Sequence, residues 1–422
     1  MKNLSQRDQH HIWHPLTQHK RKPEMLAIAK AKGVLLYDEA GNEYIDGISS
    51  WYTSMYGHCN DAIIDAVYKQ MQTLDQVVFS GFTHEPAVVL SEELIKILPY
   101  NQKKIFFSDN GSTATEIGIK MALQYHFNQG NHKKVLLAFE DGFHGDTFGA
   151  MSVSGLSVYN GPFEDFFIDV ERVEVPTLST IDGILTRLEE RLKKGDVAGF
   201  IYEPLVQGAA AMQMHTPEVI CRLLRLCKQY GVITIADEVM TGFGKTGKHF
   251  ASDHITVKPD VICLSKALTA GMVPMAITSC TQEVYDAFYS DDISKGLFHG
   301  HTYTANPLAC AAAIAGLQLL QSNEIQQNIT KIIAAHQEFN TIVKNHSKVA
   351  ATRQTGVIFA LDLAVQMERY GNLRDQMFDH FMRQGVFLRP LGNTIYILAP
   401  YVITQKQLQT IYDSILSLLD TL

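Results

Sequence analysis

Three features of the chain predict an α/β fold built on a mostly parallel sheet covered by helices. Short apolar runs recur through the middle of the sequence, helical patterns separate them, and polar residues stand just past the ends of several runs. The runs are Lys104–Ser108, Val135–Phe139, Gly199–Glu203, Val232–Asp237 and Asp260–Ser265, with helical patterns at Thr113–Phe127 and Pro217–Tyr230. Strands that are apolar on both faces and alternate with helices belong to a sheet buried on both sides.

The flanks read differently. Gly33–Tyr37 and Glu43–Ile45 form a hairpin signal around the turn Glu39-Ala40-Gly41-Asn42. After Pro307 comes a helical stretch broken near Asn323, then a strand at Gly356–Leu363 and a helix at Leu373–Arg383. A pair of strands, Val386–Arg389 and Thr394–Leu398, precedes a final amphipathic helix, Gln405–Leu419. We therefore expect residues 1–58 to form an N-terminal arm of a smaller α+β domain made from both termini. Residues 59–315 would be the large domain carrying the site, and 316–422 the C-terminal small domain.

Composition bounds the function. At 422 residues the chain is long enough for two or three units of roughly 150 residues each. Hydrophobic residues at 46% and charged residues at 19% are ordinary for a globular protein. A net charge of −8 offers no basic face, so no nucleic acid partner is expected. The longest greasy stretch, Ala309 to Leu320, is too short to cross a bilayer, and the N-terminus lacks the apolar centre of a signal peptide. Six scattered cysteines without a C-x-x-C pair suit a reducing, cytoplasmic setting.

Ligands of doubly wound sheets bind beyond the carboxyl ends of the strands, so the polar residues there carry the chemistry. Four runs end in this way, at Asn110-Gly111-Ser112-Thr113, Glu203, Asp237-Glu238 and Ser265-Lys266. Ser112 or Thr113 can cap the following helix, and Gly111 lets the backbone approach an anion, which reads as a phosphate cradle or as an ordinary helix cap. Asp237 closes the apolar run Val232–Ala236 and needs a cationic partner, unless it simply caps the next segment. A cation at ~3 Å with an effective dielectric of about 20 is worth about 5 kcal/mol before desolvation, enough to keep a weakly basic ring nitrogen protonated. Lys266 stands where partial desolvation makes an amine nucleophilic. A phosphate cradle, an acidic strand end and a strand-end lysine are together what pyridoxal 5'-phosphate requires.

Two other patterns compete. Gly242–Gly247 matches G-x-G-x-x-G and contains Gly-Lys-Thr, which would suit a nucleotide-binding protein. It neither follows its strand directly nor opens a helical pattern, and Val239 stands where a Walker loop has its first glycine. His10 with His14 and His299 with His301 are suggestively spaced, but no further ligand completes a metal site.

The residues taken together resemble the class III aminotransferases of pyridoxal phosphate fold type I. The motifs are Asn110-Gly111-Ser112, Phe143-His144-Gly145, Glu203-Pro204, Ala236-Asp237-Glu238 with Gly242–Gly247, Ser265-Lys266, Gly300-His301-Thr302 and Asn306-Pro307, in order over most of the chain. The resemblance implies that Lys266 bonds the cofactor aldehyde and that Asp237 partners the ring nitrogen. It also implies cofactor contacts for Gly111, Ser112, Phe143, Glu203 and His301, with Thr302 reaching the phosphate from the second subunit of a homodimer. Trp51, Phe143, Lys266, Gly300 and Arg389 would meet substrate, Arg389 as a planar fork for a carboxylate.

Ile12-Trp13-His14-Pro15, Asp46-Gly47-Ile48-Ser49-Ser50-Trp51 and Leu388–Gly392 with Ile395-Tyr396 are most similar to the branch of the family that serves biotin synthesis. That likeness implies S-adenosylmethionine as amino donor and 8-amino-7-oxononanoate as acceptor in a ping-pong reaction. Three positions depart from the pattern: Leu16 and Phe143 where tyrosine is usual, and Lys245 where arginine is common. They leave lysine open as the donor, and another ω-amino acid or diamine open as the substrate.

Overall fold

The structure, a computed structural model, describes residues 4–22, 24–157, 160–365 and 372–422. Its centre is a seven-stranded sheet in the spatial order Gln102–Ser108, Ala276–Thr281, Val261–Leu264, Ile233–Asp237, Val197–Tyr202, Val135–Phe139, Val170–Val173. Only Ala276–Thr281 runs antiparallel to its neighbours. Every residue of Val197–Tyr202, Ile233–Asp237 and Val261–Leu264 is buried, so the central strands are covered on both faces. The five predicted strands are all present.

The two strands that the sequence did not announce have physical reasons to hide. Val170–Val173 lies at the sheet edge and carries Glu171 and Arg172, which break the apolar run. Ala276–Thr281 buries Thr278 and Ser279, whose hydroxyls bond Ala114 O at 2.9 Å and Gln102 Oε1 at 2.7 Å. Bonded in this way, they sit in the interior without the cost of an unpaired polar group.

The helix Gly111–Asn128 lies across the sheet, and a side chain at Gly118 would come within 3.2 Å of Cys263 Sγ and Ile235 Cγ2. Pro217–Gln229 buries its apolar stripe, including Val219, Leu223 and Cys227. Helices Pro307–Leu320 and Asn323–Val343 are separate, as the break near Asn323 predicted, with Ser322 capping the second.

Both ends of the chain meet in one small sheet. Ile28–Lys32, Leu35–Asp38 and Glu43–Asp46 form an antiparallel meander, and the expected hairpin has the register Leu35↔Ile45. Val386–Phe387 then adds in parallel, with Val386 opposite Ile45 and Phe387 opposite Asp46. The expected pair Val386–Arg389 and Thr394–Leu398 is corrected here. Thr394–Ile397 joins Ile358–Leu363 and Val349–Thr355 in a different, three-stranded sheet. The segment between them, including Arg389, crosses from one sheet to the other beside the end of Glu43–Asp46.

Candidate active site

Asp237, Lys266 and Glu203 come from three adjacent strands at their carboxyl ends. Asp237 ends its strand opposite Cys263, Glu203 follows Tyr202, and Lys266 comes two residues after Leu264. Ser265 bonds Met275 O at 2.8 Å, and Lys266 then takes φ +51°, opening the short turn Lys266–Thr269. A left-handed backbone at a residue other than glycine costs of order 1–3 kcal/mol and persists where the surroundings enforce it. Burial lowers the pKa of the Lys266 ammonium, while the carboxylates of Asp237 and Glu203 raise it. Its Nζ stands 5.0 Å from the centre of the Tyr52 ring and has no hydrogen-bond partner among the described residues.

Asp237 is 4% exposed. Its Oδ2 is 2.7 Å from His144 Nδ1, and its Oδ1 accepts the Val239 N–H at 3.0 Å. The remaining ring nitrogen of His144, Nε2, is buried with no partner among the described residues. Glu203, also 4% exposed, clamps two backbone amides, Phe143 N–H at 3.0 Å and Gly208 N–H at 2.8 Å. Burial pushes its carboxyl up to about 7, with His144 pulling it down and Asp237 pushing it further up.

The helix that opens at Gly111 is capped by Asn110, not by Ser112 or Thr113. Asn110 accepts the Thr113 N–H at 3.1 Å, and the Thr113 hydroxyl accepts the Asn110 N–H at 3.2 Å. This leaves the N–H groups of Gly111 and Ser112 without an acceptor among the described residues, at the positive end of a helix of 18 residues. The reason for glycine at 111 also differs from the expected one. A Cβ there would sit 2.8 Å from Val239 Cγ1, so glycine lets the helix start close against the residue after Asp237-Glu238. Gly145, at φ +130°, performs a similar service for the loop that carries Phe143 and His144, since a Cβ would strike Ser112 Oγ.

These observations test the cofactor. Among the described residues, a free pair of amides suits a phosphate, a buried carboxylate without a lysine or arginine bonded to it suits a pyridinium nitrogen, and an unpaired lysine within electrostatic reach of that carboxylate suits an aldehyde. The residues present fit pyridoxal phosphate.

On the facing side, Ser49, Ser50, Trp51 and Tyr52 have φ of +50°, +44°, +69° and +73°, a left-handed turn of four residues. Trp51 is 42% exposed, and the Arg389 guanidinium lies 4.8 Å from its ring centre. Tyr52 is buried and donates to Tyr396 Oη at 3.2 Å. Burial raises the Tyr52 phenol well above its ordinary range, with Tyr396 and Glu203 adding to the effect. Phe143, 41% exposed, projects from the Glu203 clamp.

Of the residues predicted for the site, Lys266, Asp237, Glu203, Gly111, Ser112 and Phe143 gather at the strand ends, and Trp51 and Arg389 stack on each other beside Tyr52. Among the described residues, Gly300, His301 and Thr302 form no hydrogen bond with any of them. Thr302 O accepts from Gln76 Nε2 at 2.7 Å, His301 Nδ1 accepts the Tyr303 N–H at 3.2 Å, and neighbouring His299 meets Lys120 Nζ at 3.0 Å. Gly242–Gly247 is no nucleotide loop. Lys245 is fully buried and donates to Gly242 O at 2.9 Å, and the next element is only the short turn Ala251–His254. The sequence reading gave no role to His144, although it lies inside a quoted motif, because only the fold carries it across to Asp237.

A lysine, an aspartate and a helix N-terminus arranged at the carboxyl ends of this sheet define a pyridoxal phosphate enzyme. The chain belongs to the class III aminotransferases, whose family model matches residues 16–419. Its cofactor is pyridoxal 5'-phosphate. The adenosylmethionine-8-amino-7-oxononanoate aminotransferase of Synechococcus elongatus is 44% identical, covering 97% of this chain and 98% of that protein. The crystal structure of the enzyme of the same name from Methanocaldococcus jannaschii superposes with a TM-score of 0.93 at 32% identity, over 98% of each chain. An amine transaminase from an uncultivated Pseudomonas species, in a PLP-bound form, gives a TM-score of 0.92 at 28% identity over 97% of this chain and 98% of that one.

Proposed function

We propose that this aminotransferase moves the amino group of S-adenosylmethionine to 8-amino-7-oxononanoate, giving 7,8-diaminononanoate for biotin synthesis. The observation that carries the reading is the Arg389–Trp51 stack, a cation on an indole 4.8 Å away, beside the Tyr52 ring that covers Lys266 Nζ. A long apolar chain ending in a carboxylate matches an aromatic wall that leads to a guanidinium fork. Full-length relatives bearing that enzyme's name support the same substrates.

Pyridoxal phosphate supplies an aldehyde that takes up the amine and a pyridinium that draws electrons from the carbon bearing it. Lys266, lowered in pKa by burial, takes a proton from that carbon in the donor and returns one in the acceptor. Asp237 would hold the proton at the ring nitrogen, and His144 fixes the orientation of that carboxylate through its 2.7 Å bond. The N–H groups of Gly111 and Ser112 would hold the phosphate and Phe143 would lie against the ring, while Glu203 braces Phe143 through its backbone. Arg389 binds the acceptor carboxylate, and donor and acceptor use the site in turn.

A homodimer in the cytoplasm completes the reading, with Gly300, His301 and Thr302 serving the site of the second copy. Val78, Phe82, Phe298 and Tyr303 are exposed around the segment that Gln76 ties to Thr302, an apolar surface suited to such a partner. Among the described residues no helix is long and apolar enough to cross a membrane, and no cysteine is in a disulfide. The large domain is assigned to residues 59–315, between the arm 1–58 and the C-terminal unit 316–422.

Lysine is the second reading of the donor. Leu16 and Phe143 offer no hydroxyl where the family commonly has one, and both are exposed. Single-turnover conversion of the loaded enzyme with S-adenosylmethionine, lysine and ornithine separates the readings. Amination of the cofactor by S-adenosylmethionine alone supports the first; amination by lysine or ornithine alone replaces it.

A further inference from the structure

The strand Glu43–Asp46 ends in a carboxylate with no solvent exposure and no lysine or arginine paired to it among the described residues. A charge in that position is costly unless several donors surround it. Asp46 has three. Its Oδ1 accepts the Ile48 N–H at 3.2 Å, and its Oδ2 accepts the Ser50 hydroxyl at 2.7 Å and His58 Nε2 at 2.8 Å. Two of the three come from the left-handed turn or the residue before it. The third, His58, is fixed in turn by a two-way backbone bridge to Gly33 at 2.7 and 3.0 Å.

That turn is expensive on its own. Left-handed backbone is unfavourable for side chains other than glycine, and here four such residues stand in a row. The strain sets the direction of two side chains. Trp51 faces the Arg389 guanidinium, and Tyr52 reaches Lys266 with its ring face and Tyr396 with its hydroxyl. Neighbouring contacts close the same unit. Ser49 donates to Leu398 O at 2.6 Å, and Leu398 N–H donates to Gly47 O at 2.9 Å. A Cβ at Gly47 would lie 2.6 Å from Leu388, the residue before Arg389.

We propose that Asp46 is a positioning residue for the acceptor. By accepting from Ile48, Ser50 and His58 it holds residues 49–52 left-handed, and so keeps Trp51 beneath Arg389. The Asp46 carboxylate is taken up by these three donors and acts through the turn. The inference deepens the proposed function, because it rests on Arg389 receiving the acceptor carboxylate.

The test uses the loaded enzyme and the variants Asp46→Asn and Ser50→Ala, the latter removing a single hydroxyl and serving if the former does not fold. The expected result is a rise in KM for 8-amino-7-oxononanoate of about tenfold in Asp46→Asn and about threefold in Ser50→Ala, with the donor half-reaction within about twofold of the parent. In a cycle with Arg389→Ala, Asp46→Asn adds nothing further to KM, because the two act through one stack. The chain has two tryptophans, so a Trp13→Phe background makes Trp51 the sole emitter. In that background the Trp51 emission shifts in Asp46→Asn as it does in Arg389→Ala. Unchanged emission, an additive cycle, or equal damage to both half-reactions overturns the inference. Failure of the underlying reading is distinct: Arg389→Ala would then leave the acceptor KM unmoved, while Trp51 emission still decides the role of Asp46.

Discussion

The two walls of the site are made in opposite ways. On the cofactor wall, Asp237, Glu203 and Lys266 stand at or just past the ends of regular strands, and Gly111 and Ser112 open a regular helix. On the proposed acceptor wall, Trp51 and Tyr52 are aimed by four left-handed residues, and Arg389 lies on a crossing between two small sheets. A wall built from element ends keeps its geometry through the ladder of backbone bonds. One built from a strained turn depends on the few side chains that hold it, so mutations there should disturb one substrate and spare the chemistry.

The largest effect expected is on the first wall. Lys266→Ala should reduce turnover at least ~10³-fold and abolish the visible absorbance of the covalently held cofactor together, because it removes both the proposed attachment and the proposed proton carrier. Retained transamination would break the distinction between the walls. Asp237→Asn should slow both half-reactions by about 10²–10³-fold, since each needs the ring nitrogen protonated. An effect confined to one substrate would contradict this.

Glu203 gives a pH signature. Its carboxyl ionises near 4.5 when unfolded and near 7 when folded, so between these values the folded state holds the extra proton and stability falls as pH rises. Relative to Glu203→Gln, the parent should lose about 3 kcal/mol between about pH 4.5 and about 7, by urea denaturation at a series of pH values. Parallel stability curves would show that the carboxyl is not perturbed.

Arg389→Ala sharpens the comparison from the other side. Loss of a charge-assisted bond of about 1.5–3 kcal/mol should raise the acceptor KM about 10- to 100-fold and leave the donor half-reaction nearly unchanged. Equal effects on both would remove its assigned role. The smallest effect belongs to the cap: Asn110→Ala should cost about 1 kcal/mol in thermal or chemical unfolding, with Ser112→Ala costing less, because Asn110 is the residue that satisfies the first turn.

The same division explains what could be read from the sequence. The strand-end cluster was legible because its residues follow recognisable apolar runs, and Lys266, Asp237 and Glu203 were picked out as candidates in that way. The antiparallel Ala276–Thr281 strand was not legible, since its buried threonine and serine are satisfied by partners more than 100 residues away. His144 was hidden for a related reason, as its bond to Asp237 spans 93 residues. Trp51 and Arg389 were named as candidates only through family likeness, and the structure stacks them on each other. No period in Ser49–Tyr52 signals a left-handed turn, and the crossing at Arg389 was read as a simple pair of strands.

Borohydride reduction of the loaded enzyme, followed by peptide mass mapping, tests the central assignment most directly. The account predicts that the reduced cofactor is fixed to the peptide containing Lys266, with none on Lys245. Attachment to any other lysine, or undiminished attachment in Lys266→Ala, would contradict it.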